Sequence, residues 1–154
     1  MCMIVMTSLV TVSCGDDDDE GGSGNAPEGT ITVNLTSNSG SAAIDFKGSY
    51  GGIIWDSATN NLENRYSGGI ASLGEKNGLG SIDTNKITES GWANKVACKP
   101  GYAYIIKYIY NYNGVQEERY TGIYVVRNIS STSGGIMGVE IQYCTFVPGK
   151  GWNQ

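Results

Sequence analysis

The stretch YAYIIKYIYNYNGVQEERYTGIYVV, Tyr102 to Val126, constrains the fold more than any other part of the chain. Two long runs rich in Tyr, Ile and Val flank Asn113-Gly114, and both central positions of a type I′ turn need the positive φ that Asn and Gly accept most readily. The segment therefore predicts an antiparallel hairpin closed by a two-residue loop. Such a loop also sets the register: Tyr108 faces Arg119, Tyr104 faces Ile123 and Tyr102 faces Val125. Because side chains alternate along a strand, Tyr102, Tyr104, Ile106, Tyr108, Tyr110 and Tyr112 leave the same face.

The remaining sequence repeats this strand-and-turn texture. In TITVNL, Ile31, Val33 and Leu35 alternate with Thr30, Thr32 and Asn34, the pattern of a half-buried strand. AIDF, GGIIW, GGIASLG, LGSID and KVACK follow as short apolar pieces fenced by Gly, Asn or Ser, which reads as strands bounded by turns. Pro100-Gly101 and Gly134-Gly135 supply further turns, and GIMGVEIQYCTFVP supplies another long strand. Only Ser57 to Tyr66 invites a helical turn. Some eight to ten closely spaced strands, with no helical pattern of ten residues, predict an all-β fold, an antiparallel sandwich or a small barrel. The 23 glycines and three prolines suit such a chain.

Composition excludes several chemistries. With no histidine in 154 residues, a Ser-His-Asp or Cys-His nucleophile system and a His-bearing metal site are ruled out. The net charge of -5 is misleading, because six of the fifteen acids precede Gly29 and leave nine against ten Lys plus Arg. A nearly neutral domain carries no nucleic-acid footprint. Asn77-Gly-Leu-Gly-Ser-Ile lacks the helix and third glycine of a dinucleotide loop, there is no Gly-Lys-Ser/Thr phosphate loop, and DSATNNLE has Ala58 and Leu62 where a calcium loop needs oxygens. No cofactor and no metal are expected.

The N-terminus addresses location. Met1 to Ser13 contains an apolar run of about the length of a secretory signal core, shorter than the ~20 residues of a membrane-spanning helix. No Lys or Arg precedes Lys47, so the basic start of that signal is expected to lie upstream. Thr11-Val12-Ser13-Cys14 resembles a bacterial lipobox, with Thr11 where Leu is usual. The resemblance implies cleavage before Cys14 and its lipidation, which anchors the chain to a membrane. CGDDDDE resembles the acidic signal behind the lipid cysteine of Bacteroidetes lipoproteins, so Asp16, Asp17, Asp18 and Asp19 are read as an export signal to the outer face. Residues 14–28 then form a tether. The fourteen residues Gly15 to Glu28 stretch to roughly 50 Å, or average about 20 Å as a flexible coil. One β domain, residues 29–154, follows.

The segment NGLGSIDTNKITESGWANKVACKPGYAYIIKY, Asn77 to Tyr108, is similar to a region of small Bacteroidetes surface lipoproteins with no assigned activity, where a GLG-S-I turn, an SGWA piece and a PGY-Y-I strand occur in this order. STSGGIMG matches more loosely. The resemblance implies an outer-membrane, cell-surface location and this fold, and brings no catalytic residue.

Four sets of candidate residues remain. Tyr102 and Tyr104 face Ile and Val across the hairpin and are assigned to the core. Tyr108, Tyr110 and Tyr112, with Arg119, are either a ligand platform or surface aromatics with a cation-π contact to Arg119. Cys98 and Cys144 are either a disulfide, which export permits, or two buried thiols. Ser57, in Asp56-Ser57-Ala58, resembles the O-glycosylation acceptor of Bacteroidetes. The functional reading is a surface lipoprotein that binds an extracellular glycan or protein and is not an enzyme. The alternatives are a carboxylate-dependent glycan-active enzyme, since nine carboxylates from Asp45 to Glu140 are scattered through the domain, or a structural spacer in a surface complex.

Overall fold

The computed structural model describes residues 25–37, 40–47, 51–87 and 91–152, and ten strands run through them. They are β1 (Ile31–Thr36), β2 (Ser41–Asp45), β3 (Gly52–Asp56), β4 (Asn61–Asn64), β5 (Gly68–Glu75), β6 (Lys95–Ala97), β7 (Tyr102–Tyr112), β8 (Val115–Ser130), β9 (Ile136–Val147) and β10 (Gly151–Trp152). A larger antiparallel sheet has the order β1-β9-β8-β7-β5, with β10 also paired to β9, and a smaller one has the order β2-β3-β4-β6. Their apolar faces meet, so the fold is an antiparallel sandwich and not a barrel.

The hairpin forms as its turn dictates. Asn113 and Gly114 both have positive φ, 51° and 79°, and Tyr108 pairs with Arg119 and Tyr104 with Ile123. Tyr102 lies just beyond the ladder, which ends at Ala103 and Tyr124. Gly101 closes the strand entry instead, its N–H donating to Val125 O at 2.8 Å.

Strand parity sends alternate residues of β7 into two different cores. Tyr104 and Ile106 join Ile123, Val125, Val139 and Ile141 between the sheets, against Ile53, Trp55 and Leu62 of the small sheet. Ala103 and Ile105 point the other way and pack with Tyr120, Cys144 and Phe146 beneath Leu79, Ile82, Trp92 and Trp152. A strand covered on both faces needs a continuous apolar run, which is why Ala103-Tyr104-Ile105-Ile106 breaks the polar alternation seen in β1. Each large side chain so buried contributes about 1.5–3 kcal/mol. The indole N–H of Trp55 donates to Asn60 Oδ1 at 2.9 Å, so this fully buried ring leaves no polar atom stranded.

Two local expectations are corrected. LGSID is not a strand: Leu79–Ser81 is a 3₁₀ turn. Leu79 and Ile82 stand three residues apart, the 3₁₀ period, and both are buried against the outer face of the large sheet. Ser57 to Tyr66 carries no helical turn. Asn60 adopts φ 50°, which ends the turn and starts β4, while the Asp56 carboxylate accepts from Ala58 N and Thr59 Oγ1. The residues just before Gly29 lie against the domain. A Cβ on Gly80 would stand 1.9 Å from the Asn25 carbonyl oxygen, and the Cys144 thiol donates to Glu28 O at 3.8 Å.

Candidate functional site

The hairpin outruns its neighbours. β5 pairs with β7 only as far as Gly68 opposite Tyr108, and β9 meets β8 only from Phe146 opposite Tyr120. Beyond those rungs Ile109–Tyr112 and Val115–Glu118 pair with each other, and at the outer edge Ser67 accepts from Ile109 N and donates its hydroxyl to Ile109 O. The result is a two-stranded ribbon projecting from the rim of the sandwich. Its tyrosine face continues the side on which Tyr104 and Ile106 meet the small sheet.

A two-stranded ribbon in water is marginal without help, and the aromatic row supplies it. Tyr108 and Tyr110 have ring centroids 6.4 Å apart, and Tyr110 and Tyr112 lie 6.2 Å apart with planes within 5°. The Arg119 guanidinium sits 5.5 Å from the Tyr110 ring centre and donates to Glu117 Oε2 at 3.1 Å. The Arg119–Tyr110 contact runs diagonally between the two strands, and such a contact is worth about 0.2–1 kcal/mol. Exposure rises along the row: Tyr108 and Tyr110 are half-buried, while Tyr112 is 63% and Val115 69% exposed.

A fourth ring belongs to the site. Tyr66, at the corner between β4 and β5, meets Tyr108 edge-on at 5.6 Å and is 41% exposed. Its hydroxyl donates to Asp45 Oδ1 at 2.6 Å, and Arg65 donates to the same oxygen at 3.0 Å while lying over the Tyr66 ring. The bond to Asp45 raises the Tyr66 phenol above its ordinary value. Packing explains the position: a Cβ on Gly52 would lie 3.2 Å from Tyr66 Cε2, and one on Gly68, at φ 128°, would lie 1.9 Å from Lys107 O. Both glycines are therefore required where this corner meets the sheets. Sequence reading missed Tyr66, whose one signal is a large ring in the otherwise polar run Asn64-Arg65-Tyr66-Ser67.

The other candidates lie elsewhere. Cys98 and Cys144 are buried thiols not bonded to each other. They belong to different cores, Cys98 between the sheets and Cys144 on the opposite face of the large sheet, so a bridge between them would have to cross that sheet. Burial pushes the Cys98 thiol up to about 12, which makes it a poor nucleophile. Ser57 sits past the end of β3, away from the Asp45 end of the small sheet, half-buried, with its hydroxyl donated to Gly40 O. Cys14, Asp16, Asp17, Asp18 and Asp19 lie outside the described residues, as does Glu89.

Several carboxylates are held by cations or by their own turns. Glu63 faces Lys95, Glu118 faces Lys107 and Glu140 faces Arg127. Asp56 is lowered by its bonds from Thr59 and Ala58, and Asp83 by those from Asn85 and Lys86. Among the described residues no group of three His, Cys, Asp or Glu side chains could hold a metal.

Fold and rim together define a class: an antiparallel β-sandwich with a projecting, tyrosine-faced ribbon. No family model, no curated protein and no solved structure matches the chain.

Proposed function

We propose that this chain is a lipid-anchored, outward-facing binding module of a bacterial outer membrane, akin to the Bacteroidetes surface lipoproteins that Asn77 to Tyr108 resembles. It holds an extracellular ligand on the tyrosine ribbon without turning it over. The observation that carries this reading is Tyr112, a 63% exposed ring aligned with Tyr110 at the end of the projecting ribbon. Rings held in place before binding offer large contact area at little entropic cost. Retained carboxylates favour binding over hydrolysis. A glycoside hydrolase needs two carboxyl groups facing each other across a cleft, whereas Asp45, Glu63, Glu117, Glu118 and Glu140 each face a cation.

Anchoring rests on Cys14 and outward export on Asp16 to Asp19. Cys14→Ser should abolish metabolic labelling by a fatty acid, and alanines at Asp16 to Asp19 should keep the label but shield the domain from protease added to whole cells. The ribbon is tested with the lipoprotein in detergent, exposed to extracellular matrix of the producing bacterium. Tyr112→Ala should lower the amount of matrix material retained, and retention equal to wild type would sink the ribbon as the contact surface.

A further inference from the structure

Resting on that reading of the ribbon, we infer that its ligand is an uncharged glycan. The first ground is charge. Both cations flanking the tyrosine row already face carboxylates, Arg119 with Glu117 and Arg65 with Asp45. An anionic ligand would have to displace those partners. Moreover, the contacts with Arg119 go to Glu117 Oε2, and those from Arg65 and Tyr66 go to Asp45 Oδ1. Glu117 Oε1, opposite Tyr110, and Asp45 Oδ2, beside Tyr66, are thereby left to accept from a ligand along the row. Hydroxyl groups of a neutral sugar fit these acceptors. Carboxylate or sulfate groups would meet like charge there, which excludes acidic polymers by repulsion.

The second ground is shape. Tyr108 to Tyr112 covers roughly 13 Å of strand on a ribbon two strands, or about 10 Å, wide. A specific protein partner needs about 800 Å² on each side, several times this strip. One extended glycan chain does not. Its pyranose rings present flat faces of C–H bonds, whose slightly positive hydrogens suit the negative face of a phenol ring. One face of Tyr110 carries Arg119 and one face of Tyr66 carries Arg65, but Tyr112 and Tyr66, at the two ends of the row, are its exposed rings, which makes these two the stacking positions.

Affinity electrophoresis tests this with the full lipoprotein in non-ionic detergent. Native gels are cast with a mixed-linkage β-glucan, a galactomannan or a dextran as uncharged probes, and with polygalacturonate or chondroitin sulfate as acidic ones. Retardation is expected in at least one uncharged gel and in neither acidic gel. Removing a single stacking ring by Tyr112→Ala or Tyr66→Ala should weaken it about two- to tenfold, the equivalent of one aromatic contact. Retardation by the acidic polymers, or by none of the five, overturns the uncharged-glycan assignment while the ribbon reading stands on its own matrix test. Retardation by an uncharged glycan that both variants retain in full overturns the assignment and the ribbon together.

Discussion

Tyr104 and Tyr112 stand on the same strand, on the same face, eight positions apart, yet share almost nothing. Tyr104 has no exposed surface. Its hydroxyl donates to Ala97 O at 2.7 Å and accepts from Lys99 N at 3.0 Å, which ties the large sheet to the end of β6. Tyr112 is mostly in solvent with one ring beside it. The difference is made by what lies opposite and alongside. At Tyr104 strand β7 has β5 on one side, β8 on the other and the small sheet above; past Tyr108 the β5 ladder has ended, and among the described residues β7 pairs with β8, with Ser67 bonded at Ile109. A tyrosine is a structural residue where layers cover it and a contact residue where they run out. The strand changes role without changing its pattern.

The largest expected effect breaks the buried end. Tyr104→Ala removes an aromatic from the inter-sheet core and should destabilise the domain by about 3–5 kcal/mol, read as a lower midpoint in urea unfolding. A loss under 1 kcal/mol would mean that this face is not the core that its burial indicates.

The hairpin register was legible in sequence because two residues, Asn113 and Gly114, fix it locally and every pairing outward to Tyr104 and Ile123 follows by counting. The all-β class was legible for a similar reason, since alternation in Ile31, Val33 and Leu35 is a property of neighbours. What depends on layers was not. Leu79 and Ile82 look like strand residues until the outer face of the large sheet gives a 3₁₀ turn something to cover. Cys98 and Cys144 look like partners until a sheet stands between their two cores. Tyr66 joins the row from 42 positions before Tyr108 through Asp45 and Gly52, contacts that no local pattern encodes. The proposed ligand surface was thus half visible, its ribbon predicted and its corner unseen.

A second, smaller effect separates the two ends by pH. Burial pushes the Tyr104 phenol up to about 12 from its ordinary 10.0, partly offset by the bond from Lys99 N–H. The folded value lies above the unfolded one, so the stabilisation is complete below pH 10 and is lost as pH rises from 10 toward 12. Cys98, raised by burial from 9.0 to about 12, acts in the same direction from pH 9 upward. Melting temperature should therefore fall with increasing steepness from pH 9 to 12. Tyr104→Phe should lower stability at neutral pH by about 1–3 kcal/mol, because Ala97 O and Lys99 N lose their partner. The same variant should show a shallower alkaline decline. An unchanged decline would place the alkaline sensitivity elsewhere than at Tyr104.

The smallest expected effect is at the far end of the same row. Tyr112→Ala removes a ring that is 63% exposed and whose recorded ring contact is Tyr110 at 6.2 Å. It creates no cavity, strands no polar group and leaves the Asn113-Gly114 turn intact, so the change should stay within about 0.5 kcal/mol. Urea unfolding should give the same midpoint and the same slope as wild type, because the surface exposed on unfolding hardly changes. Backbone amides of Asn111 and Gln116 should exchange with solvent far faster than those of Ile105 and Ile123 in both proteins, since local opening of a two-stranded ribbon does not require the sandwich to open. A loss above 2 kcal/mol, or protection at Asn111 equal to that at Ile105, would show that the ribbon unfolds with the core as one unit. The contrast between a structural and a contact tyrosine would then collapse.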